Sequence, residues 1–342
     1  MTTGYVYDPV FLEHDQAGHP ESGQRLQAIM AKLTAHGLLD RLQAVPAAPL
    51  SLERLASVHD RHYLDRLRTL AERGGGHLDA DTYVAAGSYS AALAAAGGTV
   101  ALTEAVLRGD LANGFALVRP PGHHALRGRG MGFCLCNNLA LAARAALDQG
   151  GLERVLLVDF DVHHGNGTQE AFYADPRALF FSTHQYPHYP GSGHWREIGE
   201  GPGQGYTVNV PLSAGVGDEG FTAIFDELLY PLAERFGPQL VLCSAGYDAH
   251  WQDPLARLLL SLGGYAALVR TLTSLAGELC GGRIVFVLEG GYQLEALAYG
   301  VLNTFSALLG RDEALDPLGP APYAEADISD YLNQLRGLHR LV

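Results

Sequence analysis

Residues 155–167, VLLVDFDVHHGNG, end an apolar run in two acids and two histidines and then dissolve into glycine. Asp161 and His163 stand two apart, so in an extended segment their side chains point the same way. One carboxylate oxygen and one imidazole nitrogen, joined by a ligand from another strand end, would hold a catalytic metal with a position open for water. Asp248, in 245-AGYD-248, is the natural third. Two oxygens and one nitrogen suit Zn²⁺ without excluding Fe²⁺ or Co²⁺. Asp159, one step earlier on the same side, could orient a neighbouring group. An Asp-x-His pair alone is usually ordinary polar decoration. The tandem His123–His124 after Pro-Pro-Gly adds weight, because packing rarely explains adjacent histidines and a general base for metal-activated water is usually His or Glu. The Tyr292 hydroxyl could serve an oxyanion, with Gly290 and Gly291 letting backbone approach closely.

These residues need a scaffold that delivers them to one place. Apolar, often β-branched runs recur at 115–118, 155–160, 178–183, 206–210, 240–245 and 283–288. Ala/Leu-rich stretches with helical periodicity lie between several of them, for example 88–107 and 218–236. This alternation predicts a single α/β domain over 1–342, a mainly parallel sheet with helices on both faces. Residues 311–342 are expected to be a Pro-containing loop and a short amphipathic helix packed on that domain. After five of the runs come RPPGHHA, DVHHGNG, HQYPHYPGSG, GYDAHWQDP and EGGYQ. Polar residues released at C-terminal strand ends mark the ligand-binding edge of an open parallel sheet, so the five segments are expected to converge on one site.

Composition narrows the partners. The 342 residues carry 23 Lys and Arg against 37 Asp and Glu, a formal charge of −14, which argues against nucleic acid. No basic region followed by an apolar one opens the chain, and the apolar stretches read as too short or too Gly-broken to span a bilayer. A cytoplasmic protein without a membrane partner is expected. Cys134, Cys136, Cys243 and Cys280 match no zinc-ribbon spacing and read as buried, reduced thiols. Nothing in the pattern specifies an oligomeric state.

Together RPPGHHA, GFCLCNN, DFDVHHGNGTQ, SAGYDAHWQDPL and LEGGYQL resemble the zinc-dependent histone deacetylase and acetylpolyamine amidohydrolase family, most of all its class II and bacterial members. The likeness runs from HPESGQR (19–25) to EGGYQ (289–293). It implies the arginase/deacetylase-like fold and a metal held by Asp161, His163 and Asp248. His123 and His124 would be the catalytic pair, with Asp159 and Asn166 as their partners, and Tyr292 would polarise the acetyl carbonyl. Gly132, Phe133 and Tyr189 match the acyl-lysine tunnel, Asp81 the rim aspartate that holds the substrate backbone, and Arg25 the arginine beside an inner acetate channel. Carbonyls of Asp159, Asp161 and His163, with Ser182 and Thr183, would bind a structural K⁺; a second monovalent site would lie near Phe172 and Tyr206. Departures are Gly23 where relatives often carry proline, Tyr189 for a common phenylalanine, and Asn166 as in class II. Tyr292 is retained.

The implied activity is hydrolysis of an N-acetyl or short acyl amide. Asp159 beside His123 would favour imidazolium, whereas neutral Asn166 would leave His124 free to act as base. The polyamine-selective branch places glutamate where this chain has Leu255, so Leu255 points to acyl-lysine, in a peptide or protein, over an acetylated polyamine; the acidic net charge leans the other way. An arginase-type binuclear site would need Asp-x-His-x-Asp, and Gly165 breaks that run. A non-catalytic acyl-lysine reader would be expected to lack Tyr292 or a tandem histidine, and neither is missing.

Overall fold

The computed structural model describes residues 2–341. Its strands are β1 (Thr3–Val6), β2 (Leu42–Ala44), β3 (Gly75–His77), β4 (Tyr83–Ala85), β5 (Asn113–Ala116), β6 (Val155–Asp159), β7 (Ala178–Gln185), β8 (Thr207–Leu212), β9 (Val241–Ala245) and β10 (Ile284–Leu288). Eight of them form one sheet in the order β2-β1-β5-β10-β9-β6-β7-β8. Every pairing in it is parallel. β3 and β4 make a separate antiparallel hairpin. Strands β6, β9 and β10 are buried along their whole length. That is why they read as unbroken apolar runs: helices cover both faces.

Four strands had no sequence signal of their own. β1, β2, β3 and β4 are three or four residues long, too short to show a period. The expected helix at 218–236 is present, but its turn widens into a π segment over Phe225–Leu229 next to Pro231, which has no N–H to donate.

The helix Ser88–Arg108 corrects one expectation. Gly97 and Gly98 do not break it, so by length and composition it could cross a membrane, yet 72% of its apolar window is buried inside the fold. A Cβ on Gly97 would collide with the Ala48 carbonyl oxygen. The glycine is there for close packing. The four cysteines are buried and free. The C-terminal segment ends in the helix Ser329–Leu338, which buries Leu332 and Leu335. Before it, the Gly319 carbonyl accepts from the Trp251 indole N–H at 3.0 Å, touching the loop that carries Asp248.

Candidate active site

β5, β10, β9, β6 and β7 are consecutive neighbours in the sheet. All run parallel, so the five polar segments emerge side by side at one edge. One ligand atom each from Asp161, His163 and Asp248 lies within 4.8 Å of the others, in a buried position. His163 Nδ1 is 3.1 Å from Asp161 Oδ1 and 3.3 Å from Asp248 Oδ2. Backbone amides hold the carboxylates: Asp161 accepts from His163 and Gly290, at 2.9 and 2.8 Å, and Asp248 from Val162 at 2.9 Å. A Cβ on Gly290 would collide with both carboxylates, so only glycine lets that amide approach.

The donor set fits a metal cation. Asp248 Oδ2 is buried and accepts no hydrogen bond among the described residues. Two carboxylates sharing a dry site call for positive charge. In the chain alone His163 meets that need: burial works against its charged form, but Asp161 and Asp248 outweigh it and hold the imidazole up to about 10.

The tandem histidines have unlike partners. His123 Nδ1 lies 3.0 Å from Asp159 Oδ2, and His124 Nδ1 lies 2.7 Å from Asn166 Oδ1. Burial opposes charge on both rings. Asp159 and Asp161 overcome it at His123, pushed up to about 10. At His124 burial is reinforced by the neighbouring imidazoles, and its pKa falls well below the ordinary value. A charged and a neutral imidazole therefore sit with ring centres 4.0 Å apart.

Two positioning carboxylates went unassigned in the sequence. Glu289 closes β10 and accepts from the amides of Gly122 and His123, at 2.7 and 3.1 Å, and from the Ser244 hydroxyl at 3.1 Å. Burial raises its carboxyl to about 7. Asp253 accepts from the amides of Tyr292, Gln293 and Leu255, at 2.7, 3.1 and 3.0 Å. A lone acid directly after IVFVL was the available signal for Glu289; Asp253 had none beyond lying in the SAGYDAHWQDPL stretch.

A cavity of about 210 Å³ opens over this floor, lined by His123, His124, His163 and Tyr292 below and by Asp81, Gly132, Phe133, Tyr189 and Leu255 above. Phe133 meets Tyr292 edge-on at 5.9 Å, and Tyr189 meets His124 edge-on at 5.2 Å. Phe133 has φ 68°, a conformation rare outside glycine; its amide donates to Thr82 Oγ1 at 3.2 Å. Burial, foremost, raises the Tyr292 phenol well above its usual range, so it stays a donor. His188 also lines the cavity and was not singled out in the sequence.

Other expected residues lie outside the cavity wall. Arg25 is fully buried behind Tyr292, its guanidinium carbon 5.2 Å from that ring. It donates to the Gly291 and Glu289 carbonyls and to Glu21. Gly23 donates its amide to Asp15 at 2.8 Å, a contact proline could not make. Asp159 and Ser182 are register partners on β6 and β7. The Thr183 hydroxyl is 3.5 Å from the Asp159 carbonyl, while Ser182 is engaged with His184 at 3.0 Å. Phe172 lies under the Arg144 guanidinium and Tyr206 packs against Phe236.

Residues 19–308 match the histone deacetylase domain. The chain belongs to the histone deacetylase family. A probable deacetylase of Archaeoglobus fulgidus is 44% identical over 91% of this chain and 88% of its own length. A histone deacetylase-like amidohydrolase of Pseudomonas aeruginosa is 40% identical over 92% and 82%. The crystal structure of the HDA15 HD domain superposes with a TM-score of 0.91 at 36% identity, covering 99% of this chain and 94% of that one. This family member is thus a metal-dependent deacetylase, a hydrolase of amide bonds acting on acetylated substrates, built on the family's single α/β fold.

Proposed function

We propose that this deacetylase removes acetyl or short acyl groups from N-acyl-lysine in a peptide or protein, with Zn²⁺ held by Asp161, His163 and Asp248. Bound there, the metal supplies Lewis-acid polarisation of the acyl carbonyl and a water of lowered pKa. His124, kept neutral opposite Asn166, is the base that takes a proton from the attacking water. Tyr292 donates its hydroxyl to the acyl oxygen as negative charge develops. His123, an imidazolium paired with Asp159, gives its proton to the departing amine. Phe133 and Tyr189 take the alkyl chain between them with Gly132 beside it, and Asp81 accepts from the substrate backbone. Arg25 would border the acetate exit. Structural K⁺ at Asp159, Asp161, His163, Ser182 and Thr183, and a second ion near Phe172 and Tyr206, belong to the same reading by family likeness.

The observation that carries it is the unlike pair of histidine partners opening onto one cavity with His163 and Tyr292. His124→Ala should lower kcat/KM by about 10²–10⁴-fold; near-native turnover in steady-state assays would refute the assignment.

A second reading, an acetylated polyamine as substrate, draws on the mouth. Burial and the neighbouring Asp79 raise the Asp81 carboxyl, and an organic cation would relieve that crowding. Leu255, which offers apolar contact only, favours the peptide. Side-by-side specificity constants of the Zn²⁺-reconstituted protein for an acetyl-lysine peptide and an acetylated polyamine decide between them.

A further inference from the structure

We infer that His188 is a specificity-determining residue: its Nδ1 accepts a hydrogen bond from an N–H that the substrate carries at the mouth, beyond the amide being cleaved. The inference rests on the deacetylase reading and narrows its substrate class.

His188 lies between Pro187 and Tyr189 on the loop after β7 and lines the cavity with Asp81 and Leu255. Its Nε2 is 3.0 Å from the Leu255 carbonyl oxygen. A carbonyl only accepts, so Nε2 carries the ring proton. A neutral imidazole has one such proton, which leaves Nδ1 a bare acceptor. The ring also stacks on His163, centres 5.2 Å apart and planes 19° apart. One nitrogen tied and one face stacked fix both the tautomer and the orientation. Nδ1 has no hydrogen-bond partner among the described residues. Unlike the Tyr189 phenol oxygen, which is sealed in without a partner, it is not a buried orphan. His188 itself is only half-buried.

Of the other polar side chains around the mouth, the Asp81 carboxylate is an acceptor too, while Tyr189 presents its ring and has its hydroxyl buried. The Tyr292 hydroxyl, a donor, belongs to the floor. A mouth whose accessible polar groups are acceptors selects N–H donors. Two substrate classes place one there: a peptide, through its main-chain amide, and a polyamine, through its next ammonium. An acylated alkylamine with no second N–H leaves both acceptors to water.

The test compares three substrates on the Zn²⁺-reconstituted native enzyme and on His188→Phe, which keeps an aromatic face for His163 but has no ring nitrogen. The substrates are an acetyl-lysine peptide, an acetylated polyamine, and N-acetylpentylamine, which has an alkyl chain and no second N–H. Loss of one hydrogen bond should lower kcat/KM by about three- to tenfold for a main-chain amide donor and by about tenfold or more for an ammonium donor, mainly through KM, with N-acetylpentylamine changed by less than about twofold. A drop confined to the peptide assigns the N–H to main-chain amide, and one confined to the polyamine assigns it to ammonium. An equal loss on all three would reduce His188 to a tether for Leu255 and overturn the inference; no loss on any would do so as well. If the native enzyme cleaved none of the three, the deacetylase substrate reading itself would fail. Should His188→Phe not fold, His188→Leu removes the same acceptor and is read in the same way.

Discussion

At the floor of the cavity backbone amides grip the carboxylates. Asp161 takes two, Asp248 one, Glu289 two and Asp253 three. At the mouth the exposed Asp81 carboxylate receives, among the described residues, only the Thr82 hydroxyl, at 3.3 Å, while His188 has one hydrogen bond, to a carbonyl, and the stacking contact with His163. The segments leaving neighbouring strand ends bring their amides together at the floor, whereas the mouth draws on loops between distant elements. A site organised this way puts bond-breaking precision in the floor, where small misplacements are costly, and leaves the mouth to adjust affinity. Floor substitutions should therefore act on kcat by orders of magnitude, and mouth substitutions on KM by small factors.

The largest effect should come from the floor's cation site. Asp248→Ala removes one of the three proposed metal ligands; with several kcal/mol of charge stabilisation at stake, kcat should fall by about 10³-fold or more, and metal content by elemental analysis should fall with it. Full metal occupancy with native kcat would sink the ligand assignment. Tyr292→Phe comes next. Losing one oxyanion donor costs about 10²–10³-fold in kcat, and an effect confined to KM would move Tyr292 from floor to mouth.

Asn166→Asp tests the asymmetry within the floor. A base that must be neutral loses activity as pH falls through its pKa. A carboxylate in place of the amide oxygen, now 2.7 Å from His124 Nδ1, stabilises imidazolium and raises that pKa. The acid limb of the kcat/KM profile should then move up by about one pH unit; an unmoved or lowered limb would mean His124 is not the titrating base. The smallest effect belongs to the rim. Leu255→Glu should shift the ratio of specificity constants toward an acetylated polyamine by roughly fivefold, as expected for one exposed ion pair, and added salt should erase the gain. A kcat loss of many-fold instead would show that floor and mouth are not separable.

Much of the floor was readable from the chain. Asp161 and His163 share a side because they stand two apart, and Asp248, His123–His124 and Tyr292 each follow an apolar run. The structure puts those runs on neighbouring parallel strands. The mouth was less readable. Asp81, Phe133, Tyr189 and Leu255 became candidates only through likeness to a family, and His188 was not singled out at all. These residues come from four loops whose proximity no local period encodes. The glycine pair in Ser88–Arg108 misled for the same reason: a close contact with the 47–50 segment is a property of the fold and cannot be seen in the helix alone.

The amino-acid pattern alone settled the alternation of strand and helix, and with it a parallel sheet whose polar residues leave at one edge. It also determined the chemical types available there: two carboxylates and an imidazole for a metal, two histidines, and a phenol. Which partner each group met depended on the folded arrangement. Asp159 went to His123, Asn166 to His124, Glu289 to the amides before the histidines, and Asp253 to the amide of Tyr292. The physical reason is range. Backbone periodicity acts over a few residues, whereas the charge state of a buried group depends on whatever the fold places within a few ångströms, from any distance along the chain.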